Sequence, residues 1–169
     1  SAYQSTVSAW ANLLDAVRRS VPRARVLLIS ACDVYGNAGA NGQPLNENLP
    51  PTPTSTFGAL KATAESVAHT FYKNYSMNVT IARPFHYLGA NCPDRFFFGA
   101  LAKRLANWNF DANGRELRLP DLDRRRDVLH VGDVITAYEM LLKDGKPNQI
   151  YNVCSGTART CREIAEALL

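Results

Sequence analysis

One short, continuous apolar run limits this chain more than any other feature: RVLLIS at 25–30, with NVTIAR at 78–83 reading as the next strand, closed by Pro84. A strand with one wet face alternates polar and apolar residues, whereas a strand covered on both faces reads as a continuous run, the habit of parallel sheets. Parallel neighbours need a crossover, and 56–75 supplies one. Leu60, Ala64, Val67 and Phe71 recur there on a single helical face, and Ser55 stands where an N-cap belongs. Strand, helix, strand in this order closes right-handedly, so the first half of the chain is α/β on a parallel sheet.

Around that unit, Val7, Trp10, Leu14 and Val17 predict an amphipathic helix over 3–19, ended by Pro22. Residues 36–54, rich in Gly, Asn and Pro, form a long loop of the kind that usually carries function. Beyond Pro84 the pattern predicts a helix at 94–108, a short strand at 116–119, a basic loop, a helix at 131–143, a strand at 150–155 and a helix from about Thr160. The expected organisation is an α/β portion at 1–83 and a second lobe at 84–169 that returns to the sheet at its edges. Starting on a helix and stopping inside another, the chain reads as a piece of a longer protein.

Composition removes several function classes. No run approaches the ~20 apolar residues of a membrane span and no basic-then-apolar leader opens the chain, so a soluble, cytoplasmic protein is expected. Cys32, Cys92, Cys154 and Cys161 contain no Cys-x-x-Cys pair, and His69, His86 and His130 lack ligand spacing. Reduced thiols and no metal site are expected. The net charge of +4 is concentrated only at Arg124-Arg125-Arg126, too short a stripe for nucleic acid but suited to a diphosphate, whose oxygens an arginine fork matches.

Five segments carry a resemblance: SACDVYGN (30–37), NENLPPTPTSTFGALK (46–61), IARPFHYLGA (81–90), RRRDVLHVGDV (124–134) and YNVCSG (151–156). In this order and spacing the chain resembles the extended short-chain dehydrogenase/reductases, the epimerase/dehydratase group that acts on nucleotide sugars. The wording is nearest to the GDP-6-deoxy-4-keto-mannose reductases and the GDP-mannose 4,6-dehydratases. The resemblance implies a partial Rossmann-like sheet with a small C-terminal nucleotide-sugar lobe, NADP or NAD as cofactor, a nucleotide-diphosphate sugar as substrate, and a homodimer. It also exposes a gap. The Gly-x-x-Gly-x-x-Gly turn that seats a cofactor pyrophosphate on a helix N-terminus does not occur among these residues, and 37–42 is only a glycine-containing loop.

By resemblance, Phe57 and Lys61 occupy a Tyr-x-x-x-Lys pair, one helical turn apart on one face. There the lysine lowers the phenol pKa and binds the nicotinamide ribose, and the phenol exchanges a proton with the sugar oxygen. Phe57 keeps the ring without the proton, although a plain core aromatic would read the same way in isolation. Ala31 stands where the family has a serine or threonine that holds the reacting oxygen, so both hydroxyls are missing. Asp33 stands where dehydratases of the family have a glutamate for proton abstraction, and its carboxylate, one methylene shorter, points to a reductase lineage; alternatively it caps the loop after the strand.

Pro84, Phe85 and His86 match the stretch that lines the nicotinamide amide and the substrate diphosphate, with asparagine usual at His86. Arg126 matches a diphosphate-binding arginine, or forms a surface salt bridge. Lys103 faces the nucleotide or is solvated. The resemblance thus implies reduction of a GDP-4-keto-6-deoxyhexose with NAD(P)H, impaired here. The alternatives are a 4,6-dehydratase or epimerase, and a non-catalytic nucleotide-sugar-binding or subunit-interface relative.

Overall fold

The computed structural model describes residues 2–40, 42–108 and 122–167, with side chains from residue 7 onward. Along the chain lie α1 (Ala2–Ser20), β1 (Val26–Ile29), a 3-10 turn (Cys32–Tyr35), α2 (Thr56–Tyr75), β2 (Val79–Pro84), β3 (His86–Leu88) and α3 (Phe97–Ala106). After these come β4 (Arg125–His130), α4 (Val131–Asp144), β5 (Ile150–Val153), β6 (Ala158–Thr160) and α5 (Cys161–Ala167). They form two compact units, Ser1–Phe85 with Val134–Val153, and His86–Asp133 with Cys154–Leu169.

The first unit is a parallel sheet in the order β1-β2-β5. Val26 lies opposite Val79, and Ile81 opposite Ile150. Every residue of the central strand β2 is buried, Thr80 and Arg83 included, as expected for a strand covered on both faces. Pro84 has no N–H, and the ladder closes instead through the Phe85 amide, which donates to Val153 O at 2.9 Å. Leu14, Leu28, Ala64, Ala68, Met77, Val79 and Ile81 form the core, with Trp10, Val17, Val67 and Phe71 packed against it. The predicted helix faces of α1 and α2 are the ones the core uses.

Local chemistry sets the helix ends. Ser55 Oγ accepts the Gly58 amide at 3.0 Å, a cap whose loss typically costs ~1 kcal/mol. Ser76, left-handed at φ 52°, ends α2 by donating its amide to Tyr72 O. Arg25 donates to the carbonyls of Leu142 and Lys143, satisfying the free C-terminal end of α4 with a cation.

The second unit departs from expectation at the basic segment, where only Arg124 remains outside regular structure. Arg125–His130 is a strand, parallel to β3 with His86 opposite Val128 and antiparallel to β6 with Arg125 opposite Thr160. Neighbours on both sides supply the pairing that a charged strand cannot advertise in its own sequence. The third helix runs over Phe97–Ala106 and not 94–108, because the chain at Cys92 and Pro93 presses its carbonyls against Gly99, where a Cβ would lie 2.2 Å from Pro93 O. Thr160 and Glu163 form a reciprocal capping box on α5: Thr160 N–H donates to Glu163 Oε2 at 2.6 Å and Glu163 N–H to Thr160 Oγ1 at 3.1 Å. The strand expected at 116–119 lies outside the described residues. No helix among the described residues is long and apolar enough to cross a membrane.

Candidate functional site

In the first unit, the chain after β1 and the start of α2 meet at the C-terminal end of the sheet. Gly58 makes the approach possible: a Cβ there would lie 2.5 Å from Asp33 O, so only glycine lets the helix backbone rest on the turn. This contact brings Ala31 and Asp33 to the same end of the sheet as Phe57 and Lys61. Ala31 is buried in extended conformation at the head of the 3-10 turn and gives it no side-chain cap. The carboxylate of Asp33 does not cap that turn either; it is exposed and accepts the Cys32 thiol at 3.9 Å.

Lys61 is half-buried, and its ammonium donates to Ile29 O at 2.7 Å. Val26 N–H and Ser30 N–H both point to β2, so by the two-residue alternation Ile29 faces away from it. The ammonium therefore satisfies an outer-edge carbonyl of the described sheet and keeps two N–H groups for a ligand hydroxyl. Burial holds the Lys61 pKa below the ordinary lysine value. Its Nζ also sits 5.5 Å from the centre of the Phe57 ring. That ring is 51% exposed, more open than an aromatic of the core.

Behind this corner runs a buried polar chain that sequence reasoning missed. Arg83, 1% exposed, grips Glu65, 6% exposed, through Nε at 2.9 Å and Nη2 at 2.7 Å, and Ser30 Oγ donates to the same carboxylate. The Arg83 guanidinium lies 4.7 Å over the Tyr35 ring. Tyr35 donates to Asn152 Oδ1 at 2.7 Å, and Asn152 binds Glu47 and Leu45 of the long loop. Burial raises the Tyr35 pKa. Glu65 is one helical turn beyond Lys61, so the ion pair pins the helix that carries Lys61 to β2. A charged residue near the end of a mostly apolar strand was the available signal, since it demands an opposite charge.

The described residues of this loop, 37–40 and 42, offer no phosphate cradle. Ala38, Ala40 and Gly42 donate their amides to Tyr35, Asn37 and Gly39 within the loop itself. Among the described residues, Lys61 therefore fits the ribose end of a nicotinamide cofactor, and no nest of free amides fits its phosphates. The Phe85 amide is consumed by the sheet, and its ring stands 6.5 Å from that of Tyr35.

In the second unit, Arg126 and His86 are brought together, with Arg126 Nη1 at 2.6 Å from His86 Nε2. The Arg126 guanidinium also lies 5.5 Å over the Phe97 ring. Arg126 forms no ion pair among the described residues. Its neighbour Asp127 points to the other face and accepts the Ser155 amide at 2.8 Å. Lys103 is not drawn to this pair. It binds Asp94 at 2.5 Å on the surface and, with Arg104, Asn107 and Trp108, lines an open cavity of about 440 Å³.

A parallel α/β sheet with a crossover-helix lysine at the carboxyl end of its strand fits the class that the sequence motifs resemble, the extended short-chain dehydrogenase/reductases. Residues 1–154 match the model of the NAD dependent epimerase/dehydratase family, and the chain belongs to that family. It is 34% identical over 157 residues to the GDP-6-deoxy-D-mannose reductase of Pseudomonas aeruginosa, covering 93% of this chain and 52% of that protein. Identity to the dTDP-D-glucose 4,6-dehydratase of Mus musculus is 25% over 146 residues, 86% of this chain and 39% of that one. Among solved structures, RMD from Pseudomonas aeruginosa complexed with NADPH superimposes with a TM-score of 0.87 at 32% identity, over 97% of this chain and 55% of that one. The dTDP-glucose 4,6-dehydratase of Bacillus anthracis in complex with NAD gives 0.85 at 26% identity, over 98% and 51%. The chain thus spans about half the length, or less, of the relatives it matches.

Proposed function

We propose that this chain carries the catalytic corner and the nucleotide-sugar lobe of an NAD(P)H-dependent GDP-4-keto-6-deoxyhexose reductase, with the proton donor lost. The observation that carries the reading is the Phe57–Lys61 pair: a ring without a hydroxyl stands beside a half-buried ammonium at the carboxyl end of β1. A bound nicotinamide would supply the hydride. Lys61 would hold its ribose, and hydride addition would leave an alkoxide on the sugar that needs a general acid. Neither Phe57 nor Ala31 can give a proton. Loss of a general acid costs ~10² to 10⁴ in rate and loss of an oxyanion donor ~10² to 10³, so binding outlasts turnover. Arg126 and His86 would take the diphosphate, and Lys103 the nucleotide once released from Asp94.

The exposed carboxylate of Asp33 beside the Cys32 thiol favours a second reading, 4,6-dehydration, in which a carboxylate at that position removes a sugar proton. The test joins the first half of the Pseudomonas reductase to Ser1 and follows NADPH oxidation by GDP-4-keto-6-deoxymannose. Phe57→Tyr should recover far more activity than Ala31→Ser, because it restores the proton and not only the orientation. A parent as fast as the double variant would refute the impairment. Formation of a 4-keto sugar from GDP-mannose would shift the assignment to dehydration.

A further inference from the structure

We propose that His86 is a positioning residue that makes the anion affinity of Arg126 depend on pH, an inference that rests on Arg126 holding the diphosphate as proposed above. Guanidinium has no acceptor and stays protonated, so in the 2.6 Å contact between Arg126 Nη1 and His86 Nε2 the imidazole accepts. The ring is therefore neutral, with its proton on Nδ1. The strand register fixes the meeting: His86 lies opposite Val128, and Arg126, two residues before Val128, projects from the same face. Phe97 lies under the guanidinium at 5.5 Å, and Phe98 stands edge-on to the imidazole at 6.3 Å.

This geometry parks the arginine. A bidentate grip on phosphate needs two N–H groups of the fork. Here one Nη1 N–H is given to His86 and Nε is enclosed without an acceptor among the described residues, so the side-on fork is closed and the three N–H groups left, two of Nη2 and one of Nη1, are held in the direction the imidazole sets. Protonating His86 removes the acceptor and sets two cations in contact, which frees the guanidinium and adds a second positive charge for an anion. Both effects have the same sign: affinity rises as pH falls through the His86 pKa, and by linkage a bound anion raises that pKa.

Arg159 of β6 lies opposite Arg126, and its guanidinium stays charged throughout the pH range used, so it adds field without pH dependence; among the described residues the other ionisable groups on these elements are engaged elsewhere or distant. Asp127 accepts from Ser155, Arg125 donates to Ala158 O, and Lys103 pairs with Asp94. Tyr87 is exposed, and Arg104 lines the cavity at the far end of α3. His130 Nδ1 accepts the Gly132 amide; it lies four residues along β4 from Arg126, ~13 Å at strand spacing, and serves as the control.

The probe is GDP-mannose, whose diphosphate diester holds both charges across the pH range used, so any pH dependence belongs to the protein. Calorimetric titration of the full chain at about pH 5.5 and about pH 8 should give affinity on the order of tenfold tighter at the lower pH, the equivalent of a one-unit shift in one group. His86→Gln keeps an acceptor but cannot titrate, and should abolish the difference; His130→Gln should keep it. A flat parent, or an unchanged slope in His86→Gln, overturns the inference while leaving Arg126 as an anion site. Absence of binding at both pH values overturns the Arg126 reading and this one together. Independently of any variant, NMR titration of the imidazoles should show the His86 pKa rising on saturation with GDP-mannose, and an unmoved pKa refutes the proposal.

Discussion

Breaking the Glu65–Arg83 pair should cost this chain more stability than any surface change. Arg83 is 1% and Glu65 6% exposed, and the carboxylate accepts from the Nε and Nη2 of Arg83 and from Ser30. Nη1 has no acceptor among the described residues, so Glu65 is the only counter-charge described for that guanidinium. Glu65→Leu leaves a buried, unpaired cation, a situation worth about 3 to 5 kcal/mol. For a chain of this size that corresponds to a fall in Tm of about 6 to 20 °C. Replacing both partners by apolar groups of similar volume removes the stranded charge along with its mate, and such exchanges are often neutral. Glu65→Leu/Arg83→Met should therefore be more stable than Glu65→Leu alone. Urea and thermal unfolding of the parent, Glu65→Leu, Arg83→Met and the double variant give a coupling energy, expected at about 2 kcal/mol or more. Single changes costing under about 1 kcal/mol, or strictly additive effects, would refute the claim that this pair pins α2 to β2.

Gly58→Ala should destabilise by about 1 to 3 kcal/mol, the range for forced overpacking, because its Cβ would meet Asp33 O at 2.5 Å; an unchanged urea midpoint would contradict the close approach. Arg126→Ala should weaken GDP-mannose binding by roughly 1.5 to 3 kcal/mol, the range for hydrogen bonds to charged groups, with little change in Tm. Calorimetry that finds equal affinity would assign Arg126 to structure alone. NADPH should bind this chain no more tightly than about millimolar, since a single ammonium and no amide cradle amounts to ~4 kcal/mol or less; micromolar affinity would mean that phosphates find a loop not recognised here.

Helix α2 was legible to its residue limits because its start and stop are local: Ser55 caps Gly58, and the core face repeats through Ala64, Val67 and Phe71. β1 was legible from its continuous apolar run, and β2 from a short strand pattern closed by Pro84. The strands β3, β4 and β6 were not, since His86–Leu88 and Ala158–Thr160 have three residues each and owe their form to pairing with distant neighbours. The Phe57–Lys61 spacing came from the helix period, but the bond from Lys61 to Ile29 O depends on which edge of β1 faces outward, which no single strand reveals. Lys103 could not be decided from sequence, because its partner Asp94 lies outside the helix it stands on.

Phe57 offers the sharpest separation between a packing role and a remnant of chemistry. A core phenylalanine reduced to alanine costs about 3 to 5 kcal/mol through lost burial and the cavity left behind. Here half of the ring is in solvent, and its recorded partner is the Lys61 ammonium at 5.5 Å, a contact of about 0.5 to 1 kcal/mol at an exposed site. Phe57→Ala should therefore shift stability by no more than about 1 kcal/mol, and alanine's better helix propensity works against even that loss. Phe57→Tyr should be neutral to folding, yet its hydroxyl would lie near an ammonium that favours phenolate, so its pKa should fall below the free value of ~10. Ultraviolet difference titration of that variant reads the shift directly and needs no cofactor or substrate. If Phe57→Ala costs several kcal/mol while the introduced phenol titrates at its free value, the ring is a packing residue and position 57 has no place in the site.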